Sequence, residues 1–404
     1  MSEIPVRPCP RRLVDWINPT GAKKVHSLVD KVYKQKNLEI AWECVQANRD
    51  SGGVDGQSLE QFAEQLGQQL GRLQRELQED TYQPQPLRQV QIPKAGKPGE
   101  FRTLGIPTIY DRVCQQALLN RLEPIFEPIL DDANFGYRRG RSTKDAMRKV
   151  WKEMQSGQEW MVDGDLKDFF GSVDHEKLLT LVAQRVADGR VLRLIRAMLK
   201  AGRYGKGQLF PTERGTPQGG VVSPLLSNIL LTPFDQEMRR KGYQLTRYAD
   251  DWVITCKSAG EARAAMAAAL RILEKLGVQL NPEKTRIVHV RFGFEFLGYQ
   301  IKRGRPRQLG NRKLGNLKLG PECPGRDAVC VPAGEIDPPF PGSGAPAHQP
   351  SRAGHYPGVD RRVEPQAAWL GPLLPAGSRP KALHPARCLD RATHLVASLQ
   401  ALAL

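Results

Sequence analysis

Helical and strand-like periods alternate along the chain as far as Gly320, and neither continues beyond it. From Ser258, apolar residues recur at Met266, Leu270, Leu273 and Leu276 and stop at Gly277. Ser258 stands three residues ahead of Glu261, a capping-box spacing, so the pattern predicts a helix bounded by those two signals. Residues 179–200 carry a similar period and predict a second helix. Around and between them lie short β-competent runs at 160–166, 244–248, 252–256 and 287–290. Helices alternating with short strands and tight turns predict an α+β fold with a mainly antiparallel sheet. No internal repeat is found, and no run of about 18 apolar residues suggests a membrane span.

Past Gly320 the texture changes. The stretch 321–404 holds 14 of the 31 prolines, including the run Asp337-Pro338-Pro339-Phe340-Pro341-Gly342-Ser343-Gly344-Ala345-Pro346. Proline removes backbone donors and glycine adds conformational entropy, so this C-terminal tail is expected to be mostly disordered, with a short helix at 390–404.

Charge sharpens the division. The 404 residues carry 60 Lys+Arg against 43 Asp+Glu, a formal net charge of +17. The tail contributes +1 of this and the part up to Gly320 contributes +16. A balance this basic favours a polyanionic partner, nucleic acid before an anionic membrane. The N-terminus lacks the apolar core of a secretory signal. The seven cysteines are scattered and never form a C-x-x-C pair, so neither a disulfide framework nor a zinc site is indicated. A cytoplasmic location is the expectation.

Two acidic segments carry candidate chemistry. In Leu245-Thr246-Arg247-Tyr248-Ala249-Asp250-Asp251-Trp252-Val253-Ile254, two β-competent runs flank adjacent acids, which fits a hairpin with carboxylates at its tip. Adjacent acids repel each other, and Mg²⁺, which takes hard oxygen ligands, is a natural neutraliser. Taken alone, the pair fits a solvated turn equally well. In Trp160-Met161-Val162-Asp163-Gly164-Asp165-Leu166-Lys167-Asp168-Phe169-Phe170, a strand would put Met161, Asp163 and Asp165 on one face. Acids from two strands brought side by side are what two-metal phosphoryl transfer requires.

The order of motifs resembles a bacterial group II intron-encoded reverse transcriptase/maturase, over roughly residues 40–305. The resemblance rests on Tyr248-Ala249-Asp250-Asp251, on Asp165-Leu166-Lys167-Asp168-Phe169-Phe170, and on Gly215-Thr216-Pro217-Gln218-Gly219-Gly220-Val221-Val222-Ser223-Pro224-Leu225-Leu226-Ser227-Asn228. Upstream, Ile92-Pro93-Lys94, Arg102-Thr103-Leu104-Gly105-Ile106-Pro107-Thr108 and Phe135-Gly136-Tyr137-Arg138-Arg139-Gly140-Arg141-Ser142 match in order. Downstream, Leu280-Asn281-Pro282-Glu283-Lys284-Thr285 and Phe294-Glu295-Phe296-Leu297-Gly298-Tyr299 do likewise.

The resemblance implies a right-hand polymerase with fingers and an antiparallel palm, which copies RNA into DNA with two Mg²⁺ ions. Carried over by position, Asp165, Asp250 and Asp251 are the catalytic and metal-site carboxylates, and the Leu166 carbonyl completes a site. Lys94, Arg102, Phe170, Gln218 and Lys284 are nucleotide-binding positions. Phe170 sits against the sugar 2′ position, and Lys284 supplies charge or a proton to departing pyrophosphate. Arg138, Arg139 and Arg141, with Tyr137 among them, contact nucleic acid, whereas Asp163 is structural. The implied partners are RNA template and intron RNA, a DNA primer or target, and dNTP, with no membrane. The implied divisions are 1–40 as an N-terminal extension, 41–160 as fingers, 161–305 as palm, and 306–404 as an atypical tail.

The chain departs from the family pattern in that tail, where no amphipathic thumb or maturase helices follow the palm. A changed reading frame would explain this; it predicts thumb-like periodicity in another frame of the DNA past codon 305, and finding none would count against it. Gly171 stands where the family commonly has an acid. Two other functions stay open from sequence: a non-catalytic RNA-binding splicing cofactor, and an inactive remnant that lacks a thumb.

Overall fold

The computed structural model describes residues 24–48, 51–93, 99, 101–303 and 328–332. Lys94, most of the C-terminal tail and the helix expected at 390–404 lie outside them.

The centre of the palm is a four-stranded sheet in the order β6-β7-β3-β8, antiparallel throughout. Its strands are β3 (Trp160–Gly164), β6 (Gln244–Tyr248), β7 (Asp251–Cys256) and β8 (Arg286–His289). Side chains alternate across such a sheet, so each face gathers its own core. Val162, Leu245, Trp252 and Ile254 join the larger cluster, while Met161 and Val253 join the smaller one. Helices α10 (Ser223–Arg240) and α11 (Ala259–Leu276) contribute to the larger core, and α6 (Thr143–Gln155) caps the smaller through Met147, Val150 and Met154.

The predicted helix after Ser258 is present as α11. Ser258 accepts from the Glu261 amide, and Gly277 closes the helix at φ 78°. Its buried face differs from the expectation. Leu270 is 48% exposed, and the core side is lined by Ala262, Ala265, Ala268 and Ala269 together with Ile272, Leu273 and Leu276. Small side chains let this helix sit close against the sheet. The run 179–200 divides into α8 (His175–Val182) and α9 (Gly189–Lys200). Asp188 starts the second of these by accepting from the Arg190 and Val191 amides, and it also accepts from Leu28 and Val29.

A second, fingers sheet runs β2-β1-β4-β5, formed by β1 (Leu87–Pro93), β2 (Phe101–Ile106), β4 (Arg203–Gly205) and β5 (Gln208–Phe210). Next to it, α5 (Ile109–Phe126) is buried on nearly every side, Asp111, Arg112, Gln115 and Gln116 included. A third sheet pairs β9 (Phe294–Phe296) and β10 (Tyr299–Arg303) with β11 (Ala328–Pro332). The strand β11 lies inside the tail that was expected to be mostly disordered. Cys114 and Cys256 are free and buried.

Candidate active site

The carboxylates converge because of strand register. Strands β3 and β7 pair as far as Gly164 and Trp252; Asp165 follows the first and Asp251 precedes the second, near enough for the charge of Asp165 to act on Asp251. Gly164 is required for this pairing, since a Cβ there would lie 2.2 Å from the Trp252 ring. Strands β6 and β7 join through the two residues Ala249 and Asp250, with Tyr248 paired to Asp251, so the acids sit at a hairpin tip as expected. Ala249 takes φ 59°, the left-handed conformation such short hairpins demand.

The tip is held from beneath by a buried ion pair. Arg247 and Asp235 are both fully buried and meet at 2.7 and 2.5 Å. The same guanidinium donates to the Ala249 carbonyl at 2.8 Å and to Asn228 Oδ1 at 3.2 Å. Asn228 in turn donates to the Gly136 carbonyl at 2.9 Å. Three segments distant in sequence therefore meet at one node under the acids. Sequence reasoning assigned no role to Arg247, Asp235 or Asn228. The available signal was an arginine beside a tyrosine-acid turn on a strand that is otherwise buried.

Electrostatics mark the tip as a site of crowded negative charge. Burial pushes the Asp250 carboxyl up, Asp165 adds to the shift, and Arg102 and Lys284 oppose it. The Asp251 side chain reaches the surface but is crowded by protein; that crowding, followed by the charges of Asp250 and Asp165, pushes its carboxyl up to about 7. Water screens part of this effect. Tyr137, at φ 56°, lies close enough that burial first and Asp250 second raise its phenol.

Asp165 has its own frame. Its carboxylate accepts from Lys284 Nζ at 3.1 Å on both oxygens and from Asn281 Nδ2 at 3.1 Å, while its carbonyl accepts from the Asn281 amide at 2.8 Å. Asn281 belongs to the closing palm motif, to which the resemblance attached no role for it. Leu166, largely buried, bridges to Leu280. Asp163 pairs with Arg286 at 3.1 Å, in keeping with a structural role.

The donor set suits a hard cation: carboxylates and carbonyls, with repulsion among the acids that Lys284 relieves only in part. Among the described residues, no three Asp, Glu, His or Cys side chains stand close enough to hold a metal by themselves. A Mg²⁺ site here would need substrate oxygens to complete its shell, as is usual for that ion.

Around the acids, Arg102 lies on β2 opposite Ile92. Phe170 belongs to the short helix α7 (Phe169–Ser172) and meets Phe169 edge to face at 5.4 Å. The Gln218 carbonyl accepts from the Gly105 amide at 2.8 Å, which ties the glycine-rich strip to β2.

The arginine cluster divides. Arg138 is only 9% exposed; its guanidinium serves Glu127 and the carbonyls of Asp131 and Asn134. That is the task of a loop bracket, with little of the residue left exposed. Arg139 is half exposed and pairs with Glu123 at 2.9 Å; Arg141 pairs with Asp132 at 2.7 Å and lies over Phe135.

An antiparallel sheet with acids at the ends of two adjacent strands, together with a fingers sheet that carries Arg88, Arg102 and Arg203, defines the fingers and palm of a right-hand polymerase. The chain belongs to the reverse transcriptase (RNA-dependent DNA polymerase) family, which it matches over residues 92–301. Protein YkfC of Escherichia coli (strain K12) is 32% identical over 338 residues, covering 74% of this chain and 88% of YkfC. The group II intron-encoded protein LtrA of Lactococcus lactis subsp. cremoris is 30% identical over 308 residues, covering 60% of this chain and 51% of LtrA. The family membership expected from the motifs, a group II intron reverse transcriptase/maturase, therefore holds. Among solved structures, a partial Cas6-RT-Cas1–Cas2 complex aligns with a TM-score of 0.40 at 24% identity, covering 63% of this chain and 42% of that one. No helix among the described residues is long and apolar enough to cross a membrane.

Proposed function

We propose that the chain is an RNA-directed DNA polymerase of a group II intron, which extends a primer 3′-hydroxyl with dNTP on an RNA template. One observation carries this reading: Asp165 directly follows Gly164, the last β3 residue paired with β7, and its charge acts on Asp251 at the start of β7, with Asp250 in the hairpin turn just before it. Asp165, Asp250 and the Leu166 carbonyl would hold Mg²⁺, with Asp251 alongside. When bound, such ions activate the attacking hydroxyl and stabilise the charge of the leaving pyrophosphate.

The chain's own residues supply the rest. Arg102 and Lys94 supply positive charge for the triphosphate, and preorganised charge of this kind is commonly the largest catalytic effect. Phe170 lies against the sugar and disfavours a 2′-hydroxyl. Gln218 and its glycines bring backbone close to the nucleotide. Lys284, held on Asp165, keeps one cation at the site before substrate arrives and can hand charge to pyrophosphate. Arg139 and Arg141, in pairs of low worth at the surface, can exchange their carboxylates for template or intron RNA phosphates. The proposed divisions are fingers to residue 160 and palm from 161 to 305.

Primer extension on poly(rA)/oligo(dT) with Mg²⁺ tests the proposal. Asp250→Asn should abolish extension and leave RNA binding within about twofold, because the catalytic charge is lost while the basic surface stays. Unchanged extension in that variant would refute the site assignment. Splicing help that survives in the variant without any extension by the wild type would favour the RNA-binding cofactor instead.

A further inference from the structure

The strip 215–221 is fastened at both ends, and one fastener is a buried histidine. At its start, the Thr216 amide donates to the Phe170 carbonyl at 2.7 Å and the Gly215 amide to the Val173 carbonyl at 2.8 Å. At its far end, the Val221 amide donates to Gln115 Oε1 at 2.8 Å, just past the bond between Gln218 and Gly105. The strip therefore joins the turn that carries Phe170 to the strand that carries Arg102. His175 locks the first joint: its buried ring meets the Gly215 carbonyl through Nε2 at 2.7 Å. A carbonyl only accepts, so Nε2 carries the proton and donates. The other nitrogen, Nδ1, has no hydrogen-bond partner among the described residues, which leaves this bond as the ring's polar contact.

Gly215 shows how tight the joint is. It takes φ 95°, and a Cβ there would stand 2.8 Å from the Phe170 carbonyl oxygen. No side chain could enter without moving the backbone of Phe170.

We propose that His175 is a positioning residue for sugar selection: by fixing Gly215 it fixes Thr216, and through Thr216 the backbone of Phe170 against the nucleotide's 2′ position. The inference rests on Phe170 acting as the sugar filter. It predicts a selectivity effect rather than a general loss. A purely structural histidine would slow the use of both nucleotides alike, whereas a misplaced Phe170 changes their ratio.

The experiment compares dTTP with UTP in extension of oligo(dT) on poly(rA) by the full chain, read as the ratio of the two kcat/KM values. His175→Ala should lower that ratio about two- to tenfold, the worth of one hydrogen bond. His175→Gln, whose amide Nε2 can donate to the same carbonyl, should restore it to near the wild-type value. Gly215→Ala should move the ratio in the same direction as His175→Ala. A cooperatively folded His175→Ala with the wild-type ratio overturns the proposal; if that variant does not fold, an unchanged ratio in Gly215→Ala overturns it. Phe170→Ala separates the two layers: if it leaves selectivity intact, the sugar-filter reading itself fails, and this inference with it. A wild-type chain that extends with neither nucleotide overturns both.

Discussion

At Gly136 a Cβ would lie 2.2 Å from the Ala249 nitrogen and 2.9 Å from the Tyr248 carbonyl carbon. Both contacts are backbone, so no side-chain rotation can relieve them, and the obstructed turn is the one that carries Asp250. Gly136→Ala should therefore destabilise the chain by about 1–3 kcal/mol, as overpacking does, and depress primer extension more than RNA binding. A denaturant midpoint together with extension and binding assays checks this; wild-type behaviour in all three would sink it. Single residues differ in how far sequence discloses them. Asp165, Asp250 and Asp251 are legible because acids that interrupt short β-runs are costly to desolvate unless a cation meets them there. The partners of Arg138 are not legible: it belongs to a visible run of arginines, but its hold on Glu127 and two loop carbonyls depends on burial, which the run does not encode. Lys284 is legible as a cation near the site, though its direct hold on Asp165 emerges only when β3 and the segment after α11 are brought together.

The hairpin formed by β6 and β7 is the element on which the site depends, and its weakest point is the charge pair beneath it. Burial raises the Asp235 carboxyl, and Arg247 pulls against that rise. A lone guanidinium left in that interior would be costly. Asp235→Ala is expected to lose about 3–5 kcal/mol, the usual cost of breaking a buried pair, with Asp235→Asn losing less because its amide oxygen still accepts. Urea unfolding of the two variants measures the difference; a loss under about 1 kcal/mol in Asp235→Ala, well below that range, would contradict the account. Elements with edges written in side-chain chemistry were readable. Ser258 and Gly277 bound α11 at the expected ends, and strand 244–248 falls where its β-branched and aromatic residues put it. Helices α5 and α10 were not read, because helices buried almost all round have no polar face and hence no amphipathic period. The division of 179–200 was missed because Asp188-Gly189, a cap followed by a helix start, sits inside an otherwise unbroken apolar rhythm.

For the whole molecule, charge is the dominant sequence-level property, with +16 concentrated ahead of Pro321. Binding to RNA should weaken steeply with salt, with a log–log slope of about −4 to −5 if roughly six phosphates are contacted. Titrating a labelled RNA at several salt concentrations measures it; a slope near zero would remove phosphate contact from the account. The class of fold and its family were legible at this scale because many motifs occur in one order. The third sheet was not legible, since its pairing spans a long stretch of chain with little local pattern. That pairing has a practical consequence. Strand β10 has β9 on one side and β11 on the other. Cutting the gene where the recognisable polymerase motifs stop would therefore strip away a neighbour and leave a row of amides and carbonyls open, the sort of edge that recruits other chains. A trimmed version meant to stay monodisperse should keep its final residue beyond Pro332.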